Sequence, residues 1–196
     1  MIKPPQLLQA VKEYRRAIEV LKGEPVHQQE YKRSLVQLTQ LLIALAYKDP
    51  DSQEDTKANC RELLRMDPNS FDGFRLLGDF NFKLFMMESL REPNAGDAYL
   101  STALEFYRKA DVIKPGDRGV SLQIGQVLNQ QKHPVEAEPY FRKAIDLDRS
   151  SAGAYTRLYH IYVAEGKTSE AEQVLQEAIR NVPDQAADLE KLRQRH

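Results

Sequence analysis

The chain has 196 residues, 41% hydrophobic and 29% charged, a balance that excludes disorder, collagen and a disulfide scaffold. Lys plus Arg (28) nearly cancels Asp plus Glu (29), so a net charge of −1 leaves no reservoir for gripping a phosphate backbone, and no nucleic-acid partner is expected. The longest apolar run, Leu41 to Tyr47, falls far short of the roughly 20 residues that cross a bilayer, MIKPPQ begins no secretory signal, and the single Cys60 leaves no internal disulfide.

The expectation is an unprocessed cytoplasmic chain without membrane insertion. Its first predicted helix lies near residues 6 to 22, where Ala10, Tyr14 and Ala17 follow a small, large, small spacing. Steps of four and three residues keep such positions on one helix face, within about 60° of each other. Residues 26 to 48 read as one long helix, with Leu35, Leu38, Leu42 and Leu45 on a stripe that pairs back onto the helix of Tyr14; together these N-terminal helices span 6–48. A less regular hairpin, 37–70, has Tyr47 in its first helix and Cys60, Leu63 and Pro68 in its second. Asp67, Pro68, Asn69 and Ser70 then signal a turn.

Beyond residue 70 three segments align at a spacing of 34. Ala103, Ala137 and Ala171 open the pattern; Tyr107, Phe141 and Leu175 follow four residues later, and Ala110, Ala144 and Ala178 three after that. Five further on stand Pro115, Arg149 and Pro183. The alanines admit a neighbouring helix, the large residue fills the space between, and proline stops the helix. Ahead of each such helix lies another with its own apolar stripe: Phe74, Leu77, Gly78; Ile124, Gly125, Leu128; Tyr155, Leu158, Tyr162. Each unit is therefore a helical hairpin, over 71–117, 118–151 and 152–185. The first holds 47 residues, 13 in excess, inserted around MMESLREPNAGDAYLS. Two lengthened helices are predicted, about 71–91 and 97–113, with a turn at Pro93, Asn94 and Gly96 and a projecting tip that carries Met86, Met87, Leu90 and Tyr99. Pro139 costs a hydrogen bond unless its helix starts just before it. Asp184 reads as the N-cap of an amphipathic capping helix, 184–196, with Ala186, Ala187, Leu189 and Leu192 on its apolar side.

The spacing of alanine, aromatic, alanine and proline over 34 residues resembles the tetratricopeptide repeat, most clearly over 152–185 and in all over roughly 37 to 185. The resemblance implies an all-α fold: a right-handed solenoid of antiparallel helix-turn-helix repeats with flanking N- and C-terminal helices, one domain over 1–196. Two departures stand out. Tyr159 occupies the small-residue position of Gly78 and Gly125, which should set that helix pair slightly further apart, and Arg149 replaces the usual proline.

Catalytic chemistry finds no footing in the pattern. His27, His133, His160 and His196 lie too far apart for metal spacing, and no glycine-rich phosphate loop or nucleophile elbow occurs. Cys60 reads as a small buried hydrophobe, and Asp146 and Asp148 as solvated groups at a helix end. No enzyme, cofactor or metal is expected. A stack of hairpins offers instead a concave surface built from the first helices. Residues there that lie off the packing stripe are Arg75, Asp79 and Phe82; Gln126, Asn129 and Gln130; Arg157 and His160. Such donors, amides and a ring suit the backbone and acidic groups of a protein or peptide partner. Some members of the family hold a chaperone's terminal carboxylate with Lys, Asn and Arg; here Arg75 and Arg157 stand at two such places but Asp79, Gln123 and Gly153 occupy the others, so a typical carboxylate clamp is not expected. The reading is an adaptor or scaffold. Its alternatives are a self-assembling scaffold or a co-chaperone-like module that uses terminal faces or the 83–104 hairpin, a homo-oligomer being one outcome. Whether Met86, Met87 and Leu90 form an interface or pack within their own hairpin is open at this level.

Overall fold

The computed structural model describes residues 4–46, 50–92 and 95–195. Regular structure among them is entirely helical, and within each of two units consecutive helices joined by short turns pack as antiparallel hairpins. These compact units are Met1–Ile113 and Lys114–His196.

In the first unit, α1 (Pro4–Leu21) stops at Gly23, whose φ of +85° is the left-handed conformation that ends helices. Pro25 then opens a 3-10 turn, Pro25–His27, so α2 (Gln28–Leu45) begins two residues later than the helix expected from residue 26. The expected end of that helix, with Tyr47, lies outside the described residues. Val11 packs on Leu38 and Leu42, with Tyr14, Ile18, Leu41 and Leu45 around them, which is the pairing of the first two helices that the leucine stripe predicts. Leu35 instead joins Tyr31, Leu76 and, from α3 (Pro50–Met66), Cys60 and Leu63 in a second cluster. Burial, reinforced by the Asp79 carboxylate, pushes the Cys60 thiol up to about 12, consistent with an inert core residue.

The turn into α4 (Phe71–Ser89) is built by its polar side chains: Asn69 N–H donates to Asp67 Oδ1 at 3.0 Å, and Ser70 caps the helix by accepting from Gly73 N–H at 3.2 Å. The lengthened hairpin is present, with α5 at Asp97–Ile113; its first helix ends two residues before the expected 91, and Pro93 and Asn94 of its turn lie outside the described residues. Leu76 is the fully buried residue of the first turns of α4, whereas Phe74 and Leu77 of the predicted stripe are partly exposed. The cause is double coverage, since α4 packs against α2 and α3 on one side and α5 on the other. At Gly78 the Tyr107 ring lies so close that an added Cβ would fall 2.5 Å from it.

The second unit starts with α6 (Arg118–Gln130), capped by Asp117, which accepts from Val120 N–H at 3.1 Å. Gly125 meets Phe141 of α7 (Pro134–Leu147) as Gly78 meets Tyr107, an added Cβ there lying 2.8 Å from the ring. Pro139 is the sixth residue of α7, not one near its start, so the Val135 carbonyl loses its helical donor; Val135 is 74% exposed, and water can take the donor's place. Next come α8 (Ala152–Ala164) and α9 (Thr168–Asn181), joined through Gly166. Tyr159 stands in the register of Gly78 and Gly125, and α8 and α9 pack less closely than α6 and α7, a pair of the same lengths, as the larger residue predicts.

The C-terminal cap departs from expectation. Pro183–Gln185 is a 3-10 turn, α10 covers only Ala186–Glu190 with Gln185 as its N-cap, and Lys191–Arg195 is again 3-10. Asp184 is therefore inside a turn that Pro183 initiates, and it caps nothing. Leu189 and Leu192 are buried as the amphipathic pattern requires, while Ala187 is exposed.

Candidate functional site

Arg75 and Asp79 come together on one face of α4, four residues apart. Arg75 Nη1 donates to Asp79 Oδ2 at 2.9 Å, and Nη2 lies 3.5 Å from Asp72 Oδ1. Because the Tyr107 ring lies flat on Gly78, its hydroxyl ends beside the next residue and donates to Asp79 Oδ1 at 2.8 Å. Burial pushes the Asp79 carboxyl above its ordinary value, opposed by Arg75 and the Tyr107 hydrogen bond. Arg75 is thus neutralised by two carboxylates of its own helix. Further along α4, Phe82 packs against Phe85, ring centroids 5.9 Å apart.

The hairpin tip divides. Met87 and Tyr99 pack on the buried cluster of Ala46, Phe80 and Leu84, beyond their own hairpin, since Ala46 follows α2. Met86 and Leu90 are 44% and 85% exposed.

In the second unit the first helices α6 and α8 are joined by a polar contact that the sequence does not reveal. With its amide oriented by its neighbours, the Gln126 side-chain oxygen accepts from Arg157 Nε and Nη2, both at 2.9 Å, and its nitrogen donates to Gln123 Oε1 at 2.8 Å. Burial lowers the Arg157 pKa. Asn129 is partly exposed and Gln130 exposed one turn further along α6. His160, also exposed, stands edge-on to Tyr159 at 5.6 Å.

Arg157 and His160 line an open pocket of about 430 Å³ together with Gln185, Leu189 and Leu192 of the C-terminal turns. Thr156 could have been found as the neighbour of Arg157 on α8. Gln185 could not, because it lies beyond the last repeat and its position depends on how the terminal turns fold back. Among the described residues no cluster of His, Cys, Asp and Glu could hold a metal, and no helix is long and apolar enough to cross a membrane.

The tetratricopeptide-repeat (TPR) family model matches residues 128–195. No curated protein matches the sequence. Among solved structures, a thermophilic TPR protein of Thermus thermophilus is 20% identical, over 93% of this chain and 90% of that one, with a TM-score of 0.65. MamA is 16% identical over 95% and 99% of the two chains, with a TM-score of 0.64. YrrB, a TPR protein with an unusual peptide-binding site, is 19% identical over 94% and 87%, with a TM-score of 0.61. These identities show the fold alone, that of the TPR helical solenoids, and the family match covers residues 128–195, over which the chain resembles tetratricopeptide repeats.

Proposed function

We propose that the chain is an adaptor that holds a segment of a partner protein against the first helices of its repeats, in the second unit along α6 and α8. TPR proteins bind protein partners, and their fold is an interaction scaffold rather than an enzyme type. The observation that carries the reading is the Gln126 to Arg157 contact, which joins two successive first helices into one polar face flanked by Asn129, Gln130 and His160. Amides and a guanidinium on one face can pair with a peptide backbone as well as with its side chains. Arg75, Asp79 and Phe82 would form the corresponding face in the first unit, with Arg75 and Asp79 as mutual supports more than free contacts. A photo-crosslinking amino acid at Gln130 is expected to yield partner adducts in cell extract, and one at the exposed Gln173 of α9 is not. Equal labelling from both positions, or none from Gln130, overturns the reading.

A second reading rests on the exposure of Leu90 and Met86, which would join copies through the hairpin tip. A molar mass that stays constant in light scattering across a concentration series dismisses it.

A further inference from the structure

A guanidinium withdrawn from water is ordinarily matched with a carboxylate, because burial raises the cost of an unneutralised charge. Arg157 has no such match among the described residues. Its Nε and Nη2 share one neutral amide oxygen, that of Gln126, which leaves three of the five guanidinium N–H groups without a protein acceptor there. Burial alone, with no compensating acid, acts on its pKa. The carboxylate nearest in the cavity wall, Asp188, is engaged by Lys191 at 2.6 Å.

The cavity has a direction as well as a charge. Along α8 its lining runs from Ala152 to His160, about 12 Å at 1.5 Å per residue, which accommodates three or four residues of extended chain. Arg157 lies inside that run, with His160 beyond it, so a bound chain has wall on both sides of the cation. This geometry suits an acidic side chain within a segment and not a chain end.

We propose that this pocket takes the side-chain carboxylate of an internal Glu or Asp of a partner protein. The inference rests on the adaptor reading and names the chemistry of what it binds. A carboxylate would accept from two of the three remaining N–H groups, one on each terminal nitrogen, in charge-assisted hydrogen bonds stronger than those to the Gln126 amide.

The test is fluorescence anisotropy on the full chain with the labelled peptide Gly-Ser-Glu-Ala-Leu-Ser-Gly, blocked at both ends, and its reverse-order counterpart. Each is compared with the same peptide carrying Gln for Glu. The Glu form of one order is expected to bind about tenfold tighter than its Gln form, as one charge-assisted pair allows. Arg157→Gln should erase that difference. Equal affinity for Glu and Gln peptides overturns the proposal, as does no saturable binding of either, or tighter binding when the terminal carboxylate is unblocked. The Glu to Gln comparison on the unaltered chain needs no variant, so a misfolded Arg157→Gln cannot obscure it. A chain that fails here while crosslinking from Gln130 remains an adaptor with a different ligand.

Discussion

At Gly78 the backbone of α4 lies against the Tyr107 ring, and that approach decides where the tyrosine hydroxyl ends. The requirement for a small residue was legible in the repeat register. The partner of Asp79 was not, because a hydroxyl's reach depends on how two helices cross, which sequence spacing does not encode. Asp79 reads from sequence as an acid of the groove, yet its carboxyl turns to Tyr107 and Arg75 and is pushed up by burial. The sign of the consequence follows from linkage. A folded state that holds this proton more tightly than the unfolded chain gains stability that is fully present below the ordinary Asp value of 3.8 and is lost as pH rises through the raised value. Asp79→Asn, which cannot ionise, escapes that loss. Its stability relative to the wild type should therefore increase from acidic to neutral pH, measured as urea-unfolding free energies at the two ends. A difference independent of pH would mean that Asp79 titrates alike folded and unfolded.

For the elements, punctuation was the most legible signal. The turn read at Asp67, Pro68, Asn69 and Ser70 is present, with Ser70 capping the helix that follows. Proline accounts for two of the shifted boundaries. Pro25 and Pro183 open 3-10 turns that delay the following helix, and Pro139 is tolerated inside α7 because the carbonyl it leaves unpaired belongs to an exposed residue. The C-terminal cap tests which of its contacts hold it. Leu189 is buried to 4% exposure, and Leu189→Ala should cost about 2–4 kcal/mol, the usual range for emptying an aliphatic core position. Arg193 grips both oxygens of Glu172, but the two side chains are 39% and 46% exposed, and Arg193→Ala should cost less than about 1 kcal/mol. Chemical denaturation of the two variants orders these effects; a larger loss from Arg193→Ala would make the ion pair, rather than apolar burial, the fastening of the cap.

Over the whole molecule the 34-residue period specifies each hairpin, yet it runs unchanged from Ala103 to Ala137 past the boundary between the two compact units at Ile113 and Lys114. The helix stop there was legible from Pro115; that it also separates compact units was not, because an identical repeat carries no mark of where one unit gives way to the next. Charge shows the same local character. The near cancellation of 28 basic and 29 acidic residues is realised largely within single helices, as in Glu54 with Lys57, Glu62 with Arg65 and Glu105 with Lys109. Pairs between elements, such as Arg15 with Asp55, also lie at the surface. Exposed pairs of this kind contribute little and are screened beyond a Debye length of about 10 Å at 0.1 M salt, and a near-neutral chain has no net self-repulsion for salt to relieve. Unfolding free energy should therefore change by less than about 1 kcal/mol between roughly 0.05 and 1 M sodium chloride. Chloride, unlike sulfate, adds little of the exclusion effect that strengthens apolar burial, so the comparison isolates screening. A loss of several kcal/mol at high salt would show that the ion pairs act together as a network, and stability would then reside in the charged surface instead of the alanine, aromatic and leucine contacts that the repeat period specifies.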